Sequence, residues 1–314
     1  MAFRRVLTGT VLTSALAAGV LVHGQQGTGQ GPAPWPLSQS VRERGSSVTG
    51  AYEGWFYNKD GSVSLLIGYF NRNTKQEFDI PAGPNNRIEP GGPDQGQPTH
   101  FGPGRQYGIF TIKVPKDFGQ KKLTWTLVSN GQTNTITLHT KPDYIVEPFE
   151  DAASKNTPPV LKFAADGLGW SGPPSGFAAT YTATVGTALE LPLWITDEGP
   201  KLNIPEPAGR GRGRGRGDAA AAAAAGFTPP PPLAVAWSVM RGPGAVKFDE
   251  TRPKIDRDHD NKTVVHATFS EVGDYVLRAQ GNDSTGDGGG GFQCCWTNAH
   301  VKVTVKAAQT SGGN

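Results

Sequence analysis

Residues 123–140 read LTWTLVSNGQTNTITLHT. Leu123, Trp125 and Leu127 fall on one side of the first half, and Ile136 and Leu138 share one side of the second. A period of two is that of an extended strand with a single buried face. Asn130-Gly131 stands between the halves, and Asn-Gly readily takes up the left-handed backbone that a two-residue hairpin needs. The stretch is therefore read as a β-hairpin.

The same grammar recurs on both sides. Upstream, Tyr107 to Val114 alternates Ile109, Thr111 and Lys113 against Phe110, Ile112 and Val114. Tyr52 to Tyr57 and Ser62 to Phe70 flank a turn, Asn58-Lys59-Asp60-Gly61, and form a second hairpin. Glu77 to Ile80 reads as a short strand ending at Pro81, and Gly83 to Gly104 as a long Gly/Pro/Asn loop. Downstream, Leu189, Leu191 and Leu193 alternate, as do Val235, Trp237 and Val239, and later Val301, Val303 and Val305. Gly and Pro number 43 and 26, and amphipathic helical spacing is scarce. The predicted class is all-β, as two tandem immunoglobulin-like sandwiches.

The predicted organisation begins with a signal peptide over 1–24. Arg4 and Arg5 precede a mostly apolar, uncharged stretch from Val6 to Val22, which is the layout of a secretory leader. The Arg pair is similar to the start of a twin-arginine signal but lacks the rest of it, so both export routes stay open. A flexible lead-in is expected over 25–46, the first sandwich over 47–148, a linker over 149–159 and the second sandwich over 160–306. Residues 307–314 are expected to be a disordered tail. Within the second sandwich, residues 201–232 hold four Arg-Gly repeats, a run of seven alanines (219–225) and a run of four prolines (229–232), a composition that cannot build a packed strand. They read as an insertion in a surface loop.

The leader takes two charges out of a formal +3, so the mature chain is near neutral. No general nucleic-acid field follows from that balance, and no later stretch has the length and apolarity of a membrane span. The predicted location is secreted or periplasmic.

Local features of the second half add a resemblance. Trp237 lies mid-strand and is followed by RGPGAVKF, Arg241 to Phe248; Phe269 to Leu277 reads FSEVGDYVL. These passages resemble the "W…GPG-x-V-x-F" and "F-x-x-x-G-x-Y-x-L" passages of bacterial immunoglobulin-like or polycystic-kidney-disease-like domains. The resemblance implies that Trp237 fills the core and that the Tyr275 hydroxyl bonds backbone upstream of it. It also implies that Leu277, with Leu191 or Leu193 facing it, replaces the buried disulfide of antibody-type domains. The first half resembles no family.

Three features could carry chemistry. Cys294, Cys295 and Trp296 form the first, a candidate ligand-binding group. The adjacent cysteines could close an eight-membered disulfide ring beside Trp296, stay as thiols or bridge chains, or form half a metal site with His300. Asp256, Asp258 and Asp260 place carboxylates at alternate positions, as calcium loops do, and also suit a solvated hairpin tip. Asp283 and Asp287 could join such a site only if the fold brings them close. Trp55, Phe56 and Tyr57, with Tyr69 and Phe70, could offer rings to a carbohydrate or fill a core.

No metalloprotease histidine spacing, G-x-S-x-G elbow, phosphate loop or dinucleotide fingerprint is present in the sequence. Glu147 and Glu150 flank the start of the linker. The sequence thus points to an exported, non-enzymatic binding or structural protein, with no cofactor unless calcium. Its expected partner is an extracellular protein or polysaccharide. A carbohydrate-binding module and a hydrolase with its site in the 83–104 loop are the alternatives.

Overall fold

A computed structural model describes residues 42–152, 155–199, 233–283 and 295–309. The leader, the Arg-Gly insertion, Asp287 and Cys294 lie outside these residues. Apart from one 3-10 turn, Pro142–Tyr144, the described regular structure is all strand.

The first half carries β1 (Val48–Tyr57), β2 (Val63–Asn71), β3 (Phe78–Asp79), β4 (Asn86–Glu89), β5 (His100–Phe101), β6 (Gly104–Val114), β7 (Leu123–Ser129) and β8 (Gln132–Leu138). One sheet runs β1-β2-β6 and faces a second, β4-β7-β8; β3 and β5 form a short ribbon. The opening hairpin closes as read, with Leu123 opposite Leu138 and Ser129 opposite Gln132. Asn130 and Gly131 both take positive φ, 49° and 71°.

Between the two sheets lies a core of Leu65, Ile67, Phe101, Phe110, Trp125 and Leu127, among others. The Trp125 indole N–H donates to Asn86 Oδ1 at 2.9 Å, so its one polar atom is satisfied inside that core.

The second half carries β9 (Val160–Lys162), β10 (Phe177–Thr184), β11 (Leu189–Thr196), β12 (Leu233–Arg241), β13 (Val246–Phe248), β14 (Lys262–Phe269), β15 (Gly273–Asp283) and β16 (Trp296–Lys306). Sheet β10-β16-β15-β12 packs on sheet β13-β14-β11-β9, and β10 joins β16 in parallel. Leu191, Leu193, Trp237, Val265, Leu277 and Val303 meet in one core. The Tyr275 hydroxyl donates to the Glu271 carbonyl at 3.0 Å, which closes the corner that the FSEVGDYVL passage implies. Its ring lies against Gly242, where a Cβ would overlap it. The Gly-Pro-Gly passage thus gives the tyrosine its seat.

One expectation is corrected. The 83–104 loop contains β4 and β5; the alternation Asn86, Ile88 was hidden by the surrounding Gly and Pro. Of the 25–46 stretch, residues 42–46 are described, and the Arg42 and Glu43 carbonyls there accept from the Thr74, Lys75 and Gln76 amides. Val146, ahead of the 149–159 stretch, donates its amide to the Trp55 carbonyl, and within that stretch the Asn156 side-chain amide donates to buried Asp283.

In urea unfolding, Tyr275→Phe should lower stability by about 1 kcal/mol, the worth of one hydrogen bond. Leu277→Ala should cost roughly 2–5 kcal/mol, because it opens a cavity between two sheets. A Leu277→Ala protein with unchanged midpoint would place that residue outside the core.

Candidate functional site at the junction of the two halves

The central strand β2 of the sheet β1-β2-β6 is buried on both faces. Leu65 and Ile67 point into the first core, whereas Leu66 between them joins Phe56 and Trp296 in a separate apolar cluster. Trp296 is the first residue of β16, so a side chain of the second half completes that cluster. Gly108 on β6 receives it: a Cβ at that position would coincide with the indole ring. Gly108 also takes φ +49°, a backbone that L side chains rarely adopt.

Around this contact, three side chains read the main chain of β6. Asn298 Nδ2 donates to the carbonyls of Tyr107 and Gly108, each at 3.0 Å. His300 Nε2 donates to the Ile109 carbonyl at 2.7 Å. From β1, Glu53 accepts the Gly108 amide at 2.8 Å and pairs with Arg105 at 2.8 Å. Met240 of β12 enters the first core, and its carbonyl accepts from the Thr99 amide at 3.0 Å. The rim is tied by Arg241 to Asp94, 2.6 Å, and by Arg278 to the Gln106 side chain, 2.7 Å.

Burial perturbs the two titratable groups at the centre. Glu53 is pushed up to about 6 by burial, against the pull of Arg105. His300 is held down at about 4, again by burial, with Arg278 and Arg241 adding to the effect.

Beside this joint opens a cleft of about 790 Å³ with walls from both halves. The first half contributes Tyr69, Glu77, Asp79, His100 and Arg105; the second contributes Ser238, Met240, Val246, Arg252 and Arg278. His100 Nδ1 lies 2.8 Å from Asp79 Oδ1, with Glu77 3.6 Å from its other nitrogen. Burial raises the Tyr69 hydroxyl well above the usual tyrosine range.

The residues singled out from the sequence are dispersed. Trp296 is 1% exposed and serves the joint, so it offers no surface to a ligand. Cys295 is buried and disulfide-bonded; Cys294, the one other cysteine in the chain, lies outside the described residues. His300 spends its Nε2 on the Ile109 carbonyl.

Asp256, Asp258 and Asp260 lie on the exposed turn before β14. There Asp256 accepts from the Asp258 amide at 3.0 Å and contacts His259 Nδ1 at 2.8 Å. Among the described residues no three His, Cys, Asp or Glu side chains come together as a metal site. Trp55 and Phe56 are both buried, on opposite faces, and Tyr57 is exposed. Among the described residues no helix is long and apolar enough to cross a membrane.

No protein-family model and no curated protein matches the chain. Among solved structures it is similar to the S-layer protein rSbsC at 12% identity and TM-score 0.22, covering 84% of this chain and 28% of that one. An endo-fucoidan hydrolase of glycoside hydrolase family 107 is similar at 14% identity and TM-score 0.24, covering 84% and 27%. Two tandem Ig domains of titin are similar at 10% identity and TM-score 0.21, covering 84% and 100%. The chain spans little more than a quarter of the length of the first two. None of these matches carries a function over to this chain.

Two predictions follow from the joint's geometry. Trp296→Ala should cost roughly 3–5 kcal/mol, the scale for emptying a buried tryptophan site. Gly108→Ala should cost a comparable amount, and the double variant far less than the sum, because both changes break one contact. Additive losses in a double-mutant cycle would mean the two residues do not act together.

The pH dependence has a worked sign. His300 binds a proton more weakly folded than at its ordinary 6.5, so its contribution is full above pH 6.5 and is lost down to pH 4. That loss amounts to about 3 kcal/mol. Glu53 acts oppositely, regaining about 2 kcal/mol as pH falls from 6 to 4.5, because its folded form takes the proton first. Stability should therefore fall between pH 6.5 and 4, shallowly in wild type, more steeply in Glu53→Gln. In His300→Gln the fall should vanish. Denaturant midpoints across that range test this, and an unchanged slope in His300→Gln contradicts it.

Proposed function

We propose that the chain is an exported, non-enzymatic binding or structural protein that works as a rigid pair of sandwiches and takes its ligand in the cleft between them. One observation carries this reading. The cleft draws its walls from both halves, while the joint behind it is fixed by Trp296, Met240 and the bonds to residues 107–109. A site between two independently moving domains would have to be ordered at each binding event; a fixed joint removes that entropic cost. The leader-like N-terminus supports an extracellular or periplasmic place of action. The passages around Trp237 and Tyr275 support a bacterial immunoglobulin-like or polycystic-kidney-disease-like ancestry for the second half.

A second reading has its own observation. His100 sits inside the former 83–104 loop with Asp79 on one ring nitrogen, in a cleft. That pair is the orienting half of a hydrolytic site.

Sedimentation with purified envelopes of the producing cell separates the two. Wild type should pellet with envelopes, and Ser238→Trp, which fills the cleft, should stay in the supernatant with its melting point unchanged. Equal pelleting of both variants would remove the cleft from the binding function. Turnover of nitrophenyl esters or glycosides that disappears in His100→Gln would replace the binding reading with the hydrolytic one.

A further inference from the structure

A second surface lies on the first sandwich, at the end where residues 139–146 cross β1. Its rings are arranged in contact. Tyr144 stacks on Tyr52 at 5.7 Å with an interplanar angle of 25°, and His139 stands edge-on to both, at 4.9 Å from Tyr52 and 4.6 Å from Tyr144. The Tyr52 hydroxyl donates to the His139 carbonyl, and the Trp55 indole donates to the Lys141 carbonyl at 2.7 Å. These bonds pin the segment to β1. With Tyr52 and His139 both in contact with its ring, Tyr144 is still 46% exposed. Ile145, 46% exposed, and Tyr57, 58% exposed and edge-on to Trp55 at 5.1 Å, extend the strip along β1.

The border of this strip is basic. Leu123 pairs with Leu138, which sets Lys122 beside His139, and both Lys122 and Lys141 depress the imidazole's affinity for a proton, after burial. Thr140 Oγ donates to the Gly119 carbonyl at 2.9 Å and brings the 115–122 turn alongside. Lys122 and Lys141 thus flank His139; Lys116 and Lys121 are exposed on the same turn, and the exposed carboxylates nearby in sequence are Asp117, Asp143 and Glu147. A pinned, partly exposed tyrosine with ammonium groups beside it matches one kind of polymer. A pyranose ring turns a flat C–H face to an aromatic ring, and a uronate or sulfate ester on the same sugar reaches the lysines.

We propose that this strip is a binding site for an acidic polysaccharide, with Tyr144 stacking a sugar ring and Lys121, Lys122 and Lys141 holding its anionic groups. The site is separate from the cleft and does not depend on its role. Tyrosine supplies the stack and lysine the charge, so binding requires both; neutral glycans lack the second and double-stranded DNA hides its bases from the first.

Native affinity electrophoresis of the full chain tests this, in gels cast with polygalacturonate, dextran sulfate, neutral dextran or double-stranded DNA. Retardation is expected in at least one acidic polysaccharide gel and in neither dextran nor DNA. Tyr144→Ala should raise the dissociation constant about tenfold, and Tyr144→Phe should leave it within about twofold. Replacing Lys121, Lys122 and Lys141 with Gln should abolish retardation and its dependence on salt. Ser238→Trp should bind as wild type does, and circular dichroism melts should show every variant folded.

Equal retardation by DNA, or full binding by Tyr144→Ala, would reduce the patch to plain charge attraction and overturn the proposal. So would retardation by neutral dextran, or mobility unchanged in every gel.

Discussion

Burial on both faces of β2, the central strand of a three-stranded sheet, is the constraint from which the rest of the molecule follows. A sandwich sheet ordinarily hides one face and wets the other, which gives strands their alternation. In β2 that rule is suspended: Leu65, Leu66 and Ile67 are consecutive and all fully buried. Leu66 can be apolar only because Trp296 arrives from β16 to cover it. That indole, with Val146, covers apolar surface on the outer face of the sheet, so the two halves share one buried cluster.

The joint is assembled from irregularities. Strand register slips at four places among the described strands; one lies between Phe177 and Ala179, and the other three fall between Tyr52 and Gly54, between Ile67 and Tyr69, and between Val239 and Arg241. Each of those three re-aims a side chain, as bulges do. The first of them turns Glu53 toward Arg105 and the Gly108 amide. The second lies where β6 passes Gly68 and leaves Gly108 in its left-handed turn, open to Trp296. The third swings Met240 out of its own sandwich and into the neighbouring core. Regular strands build each body, and their departures from regularity fasten one to the other.

Much of each sandwich was legible in the sequence, because a strand with one wet face writes a period of two. The Asn130-Gly131 hairpin, the Leu189–Leu193 alternation and the Trp237 and Tyr275 passages are all of that kind. The junction was written in a different signal. The unbroken Leu65-Leu66-Ile67 run marks a strand covered twice, yet it says nothing of what covers it. Trp296 beside two cysteines suggested a ligand platform, since an aromatic in a Gly-rich neighbourhood looks exposed until its partner, a glycine 188 positions upstream in the same chain, is known. Strands β4 and β5 escaped because they are short and framed by Gly and Pro. The His100–Asp79 pair joins residues 21 positions apart and needed the β3–β5 ribbon to bring them together.

The joint's recognition is addressed mainly to backbone. Asn298, His300 and Glu53 engage carbonyls and an amide of residues 107–109, and Thr99 meets Met240 through main chain alone. Main-chain groups are the same for every residue type, so the side chains of Tyr107 and Ile109 are not what the second half reads. Of residues 107–109, Gly108 is the one whose identity that recognition constrains, through its backbone angle and through the space its missing Cβ leaves for Trp296. Side-chain pairs at the rim, Arg241 with Asp94 and Arg278 with Gln106, add to this backbone register. Cleft residues that make no bond across the joint, such as Ser238 and Val246, can then differ in sequence without loosening the frame that holds them.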